Sequence, residues 1–121
     1  MTRKVMKSER RRHTRIDTAL PIRLAVNGYD FSTSTKNLSC VGAYCLINKY
    51  IPPFTKVSVK MMLPIKNEYC DAKCTGVIVR TEDEPAGGFN IAIFFNGIRD
   101  ITRQKISRYI TQLLPNHSAS F

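Results

Sequence analysis

From residue 20 to residue 95 apolar and polar side chains alternate in short runs, the period of a strand with one buried face. In LPIRLAV (20–26) Ile22, Leu24 and Val26 fall on one side, Arg23 and Ala25 on the other. Asn27-Gly28 follows at once, a strong two-residue hairpin signal, so YDFSTSTKNL (29–38) is expected to run back antiparallel. GAYCLI (42–47) makes a third short strand before Pro52-Pro53 interrupts the chain. KVSVKMM (56–62) sets Val57, Val59 and Met61 inward, and Pro64 is expected to close that strand. YCDAKCTGVIVRTE (69–82) reads as one long strand with a bend or bulge at Gly76. After the turn EPAGG (84–88), FNIAIFF (89–95) places Phe89, Ile91, Ile93 and Phe95 along one buried face.

The period then changes. Ile98, Ile101, Thr102, Ile106, Tyr109, Ile110, Leu113 and Leu114 recur at three- and four-residue steps, which predicts an amphipathic helix over 100–114, capped by Asp100 and ended before Pro115. Six short antiparallel strands followed by one helix predict a mainly β domain, a small barrel with the helix on its mouth or wall. At 121 residues the chain has room for one such core. The division expected is a flexible basic segment 1–15, a folded body 16–114 and a frayed tail 115–121.

Charge sharpens this picture through its distribution. Of the net +10, residues 1–15 supply +6, from Arg3, Lys4, Lys7, Arg10, Arg11, Arg12 and Arg15 against Glu9 alone. A binder of long nucleic acid would spread its cations over the folded body to neutralise a row of phosphates. Concentration beside the first strand suits the clamping of a small anion. No apolar run approaches the ~20 residues of a membrane helix, and no apolar stretch follows the basic residues as in a secretory signal, so a cytoplasmic location is expected. The spacing of Cys40, Cys45, Cys70 and Cys74 is C-x4-C and C-x3-C instead of paired zinc knuckles, so these are read as buried or free thiols and no metal is expected.

Between the second and third strands stands Asn37-Leu38-Ser39-Cys40-Val41-Gly42, the pattern N-x-S-x-x-G. In an extended segment Asn37 and Ser39 project from one face, and Gly42 lets the backbone turn or lets something approach it closely. Taken alone, these are also ordinary turn residues. Joined to Arg11-Arg12-His13-Thr14-Arg15, an R-x-x-x-R spacing before the first strand, the pattern resembles that of the PilZ domain family, bacterial receptors for the second messenger cyclic di-GMP. The resemblance extends over roughly residues 8–114 and implies a six-stranded antiparallel PilZ-type β-barrel with a C-terminal α-helix.

It further implies that Arg11 and Arg15 grip guanine edges and phosphate, that Asn37 and Ser39 complete the polar contacts, and that Gly42 keeps the strand turn open to ligand. A guanidinium suits these tasks because it bonds guanine and phosphate in bidentate fashion and stacks on base planes. Asn37 stands where many members carry Asp, which removes an ionic acceptor for guanine donors. Arg10 has two readings, a solvated charge or a contact to a second, stacked ligand. Arg3, Lys4 and Lys7 match no motif position, and His13 is read as a spacer. The expected protein is a receptor and not an enzyme, with no cofactor beyond its ligand cyclic di-GMP and with an unidentified protein partner. The alternative is a small basic barrel binding RNA or single-stranded DNA, which would lose affinity equally on removal of any tail cation.

Overall fold

The computed structural model describes residues 14–114. Seven strands and one helix follow one another: β1 (Ile16–Asp17), β2 (Pro21–Val26), β3 (Tyr29–Leu38), β4 (Gly42–Ile47), β5 (Lys56–Ile65), β6 (Glu68–Asp83), β7 (Phe89–Gly97) and α1 (Asp100–Leu113). All pairings are antiparallel, in the order β3-β2-β5-β6-β7-β4, and β4 pairs back onto β3 to close a six-stranded barrel. β1 is an addition of two residue pairs on the edge of β3. Closure gives each of the six long strands a paired neighbour on both sides, the general solution to the edge problem in small β proteins.

The predicted alternation fills the interior. Ile22, Leu24, Val26, Val57, Val59, Met61, Ile91, Ile93 and Phe95 are all buried, while Phe89 is half-buried and packs edge to face with Tyr50, ring centres 5.6 Å apart. Asn27 and Gly28 both take positive φ, +49° and +84°, as a tight two-residue hairpin requires. The bulge expected at Gly76 is present: the β6–β7 register shifts between Thr75 and Val77.

Two expectations are corrected. β5 does not stop at Pro64 but continues to Ile65, with Pro64 opposite Tyr69. Ile65 and Glu68 close a two-residue turn and so exchange both backbone bonds, which makes the next pair the non-bonded kind. The proline nitrogen therefore faces away from β6, and β2 pairs only with Ser58–Met61 of β5, so no ladder bond is lost. Asp100 is not the helix cap: Arg99 holds that position with extended backbone, and Asp100 is the first helical residue, 3.8 Å from Arg103. Its charge still lies at the positive end of the helix dipole.

Thr102, Ile106, Tyr109 and Ile110 of α1 are buried, whereas Ile101 and Leu113 remain exposed. The helix lies across one mouth of the barrel. Gln112 ties it to the β5–β6 hairpin, donating to the Pro64 carbonyl at 2.5 Å and accepting the Lys66 N–H at 3.0 Å. The expected basic segment with Arg10 and Arg11, and the expected tail 115–121, lie outside the described residues, apart from Thr14 and Arg15.

Candidate functional site at the β1–β3 edge

β1 and β2 lie on the same side of β3 and form almost one strand. The pairs Ile16–Leu38 and Asp17–Asn37 are followed, after residues 18–20, by Pro21–Ser34 and onward, with the register displaced by one residue. Thr35, buried on β3, holds this irregularity. Its hydroxyl donates to the Thr18 carbonyl and accepts the Leu20 N–H at 3.0 Å, and its own N–H donates to the Leu20 carbonyl at 2.9 Å. Backbone groups that the bulge takes out of the ladder are thereby satisfied.

Pairing of Ile16 with Leu38 brings the exposed Arg15 to the level of Ser39, one step further along both chains. Asn37 is half-buried in the same ladder, opposite Asp17 on one side and Tyr44 on the other. The structure thus brings Arg15, Asn37 and Ser39 to one rim, while Arg10 and Arg11 lie outside the described residues.

Ser39 is not part of the extended segment that would set it on one face with Asn37. It lies just past the end of β3 and is only 5% exposed, and its hydroxyl accepts the Val41 N–H at 3.1 Å. Its N–H donates to the Gly42 carbonyl at 2.9 Å, so the serine shapes the β3–β4 loop from within. Gly42 answers the question of what approaches it. A Cβ there would fall on the carbonyl oxygen of Ile93 in β7, so the close neighbour is the adjoining strand.

Cys40, inside the same loop, leans on α1, its Sγ 3.9 Å from the Arg103 carbonyl. Burial pushes its thiol pKa up, partly offset by the Ser107 hydrogen bond and the Arg103 charge. On the other flank the Tyr109 hydroxyl meets Thr18 Oγ1 at 2.9 Å. The helix therefore touches both the loop and the segment that follows β1. Cys45 and Cys74 are buried and free, with thiol pKa values pushed up by burial to about 12 and about 11.

Next to Asn37 on the outer wall is a polar network that the alternation does not disclose. Lys36 donates to Asn90 Oδ1 at 2.7 Å and lies 3.3 Å from Glu84, and the buried Asn90 amide donates to Glu84 at 2.6 Å. These bonds, Asn90 first and Lys36 second, hold the Glu84 pKa below its ordinary value. Tyr44 stands beside this group with the Lys36 ammonium 6.0 Å and the Arg80 guanidinium 5.9 Å from its ring centre. Only the register of β3, β4 and β7 assembles these residues.

A closed six-stranded antiparallel barrel, with a helix across one mouth and an N-terminal edge strand laid beside the β3–β4 loop, defines a small single-barrel domain. The PilZ domain family model matches residues 9–112, and the chain belongs to that family. Solved structures share the fold. The Bacillus subtilis inhibitor of motility (MotI/DgrA) is 15% identical with a TM-score of 0.75, covering 84% of this chain and 50% of that one. YcgR from Escherichia coli, solved in complex with c-di-GMP, is 16% identical with a TM-score of 0.62, covering 92% and 48%. The Borreliella burgdorferi PlzA protein, also in complex with c-di-GMP, is 15% identical with a TM-score of 0.61, covering 89% and 45%. The chain spans about half the length of these solved proteins. No curated protein matches it significantly in sequence. Among the described residues no helix is long and apolar enough to cross a membrane, and no three His, Cys, Asp or Glu side chains converge as a metal site.

Proposed function

We propose that the protein is a non-catalytic receptor for cyclic di-GMP, acting in the cytoplasm, which passes the signal on through its altered surface. The observation that carries this reading is the β1–β3 pairing, which sets Arg15 beside the Asn37–Gly42 loop. Membership of the PilZ domain family and the c-di-GMP complexes of two structural neighbours point the same way. In this reading Arg11 and Arg15 bond guanine and phosphate, Asn37 meets the ligand from the rim, and Ser39 and Gly42 fix the loop backbone in the attitude the ligand meets. Arg10 extends the clamp if a second ligand stacks on the first. Residues 1–15 serve as the arm that closes, and 16–114 as the body it closes upon.

The output follows from α1. Because Tyr109 touches Thr18 and Arg103 touches Cys40, a ligand that pulls the arm and the loop together also loads the helix from both ends of its contact. The exposed Ile101 and Leu113 would then present a shifted apolar edge to a protein partner.

Calorimetric titration with cyclic di-GMP at physiological salt tests this, with Arg15→Ala and Lys4→Ala in parallel and GTP as control. The expected result is micromolar or tighter binding, abolished by Arg15→Ala and spared by Lys4→Ala, with the stoichiometry deciding the part of Arg10. Absence of binding by the unaltered protein, or equal losses from both variants, overturns the proposal; equal losses would favour the nucleic-acid alternative.

A further inference from the structure

The wall opposite the β3–β4 loop carries a feature that the ligand reading does not use. Around the barrel β2, β5 and β6 are consecutive, and β5 and β6 lie across from β3 and β4. Arg23 of β2 pairs directly with Lys60 of β5, which pairs directly with Lys73 of β6, so three exposed cations stand in one row across three adjacent strands. Like charges directly opposite one another work against a sheet. Among the described residues the ion pairs are Lys36–Glu84, Arg80–Glu82 and Asp100–Arg103, and none of them relieves this row.

Two residues along the strands, on the same face, runs a parallel row of short side chains, Ala25, Ser58 and Thr75, which ends at Gly97 on β7. Long cations beside short neighbours turn the convex barrel wall into a trough of about 500 Å³, with Asp30 at one end. Concavity, a smooth floor and an unneutralised row of charge occur together.

We propose that this trough docks an acidic helical segment of a partner protein. Adjacent strands are about 4.8 Å apart, so the three cations span roughly 10 Å. Carboxylates three and four residues apart on a helix are roughly 5–6 Å apart, and seven residues rise about 10.5 Å, so acidic side chains at i, i+4 and i+7 match the row. The floor of Ala25, Ser58 and Thr75 admits the helix backbone closely. The described residues lining the trough include no aromatic ring, which disfavours single-stranded nucleic acid, whose binding rests on base stacking. This surface lies apart from the candidate cyclic di-GMP site and does not depend on that assignment.

The test uses the full chain, labelled with nitrogen-15, titrated with a synthetic helical peptide bearing glutamates at i, i+4 and i+7. Its glutamine counterpart and a short DNA duplex are run beside it. The expected result is saturable chemical-shift change confined to the surroundings of Arg23, Lys60 and Lys73, absent with the glutamine peptide and weaker with the duplex. Lys60→Glu sets a carboxylate between Arg23 and Lys73, so it should raise the melting temperature while weakening the peptide at least about tenfold. Lys49→Glu, the same charge change beside Tyr29, should leave affinity within about twofold. Shifts spread over all cations, tighter saturation of the row by the duplex, no shift at all, or unchanged affinity in Lys60→Glu would each overturn the proposal.

Discussion

Replacing Gly42 by Ala separates a fold requirement from a ligand requirement at a motif position. The added Cβ meets the Ile93 carbonyl oxygen, with the Ile93 carbonyl carbon at 3.5 Å and the Phe94 Cα at 3.7 Å. All three are backbone atoms of the β4–β7 ladder, in which Gly42 pairs with Phe94, so no side-chain rotation relieves the contact. Movement of β4 away from β7 would also strain the Phe95 N–H bond to the Val41 carbonyl, 2.8 Å long. Overpacking of this kind costs about 1–3 kcal/mol, and the lower entropy of the unfolded alanine chain returns about 0.4–1 kcal/mol. The net loss is on the order of 1–2 kcal/mol, against total stabilities of roughly 5–15 kcal/mol for domains in general. At about 4 °C per kcal/mol for a chain of this size, the melting temperature should fall by about 4–8 °C. Urea denaturation should show a lower midpoint at unchanged slope, and calorimetric titration at 25 °C reads ligand binding while the variant is still folded. A wild-type midpoint combined with lost binding would refute the packing argument and return Gly42 to the ligand.

Two further predictions concern pH. Glu84 has its folded pKa lowered, so the unfolded chain binds the extra proton; its contribution is complete above the ordinary value of 4.5 and is lost as pH falls through the lower folded value. The urea midpoint of the parent protein should therefore approach that of Glu84→Gln on acidification, and a gap unchanged down to about pH 3 would count against the Lys36–Asn90–Glu84 network. Cys45 and Cys74 titrate the other way. Their folded pKa values of about 12 and about 11 exceed the ordinary 9.0, so the stability they contribute is complete below pH 9.0 and fades as pH rises toward those values. Stability should drop between about pH 9 and pH 10.5 more steeply in the parent than in Cys45→Ala, and equal slopes would contradict the burial argument.

The strands were legible because each has one buried face, and a two-residue period survives in sequence wherever that holds. Pro64 misled for a related reason. Whether a proline nitrogen faces a neighbour depends on the phase of the hairpin bonds and on how far β2 extends, and both are properties of the pairing. Ile101 and Leu113 fit the helical period yet stay exposed, since α1 covers only a barrel mouth and, among the described residues, no further element packs on its outer face. At the site, Arg15, Asn37 and Ser39 were named through the resemblance their motifs carry, and their nearness comes from the β1–β3 register. The two-pair strand that enforces it is too short to leave a pattern, and the inward turn of Ser39 depends on loop geometry after β3 ends. The Lys36–Glu84–Asn90 network and the Arg23–Lys60–Lys73 row join residues up to 54 positions apart, and nothing local marks them.

The two-pair strand β1 also has a mechanical consequence. Tension applied at Arg15 would reach Ile16–Leu38 and then Asp17–Asn37 one at a time, as a zipper opens, and would next meet the bulge pinned by Thr35. The longer β2 ladders behind that bulge resist as a group, because β2 is held on both sides by β3 and β5. A load applied at Arg15 would part β1 from β3 well before the barrel yields, which would make the rim sensitive to force while the body stays folded.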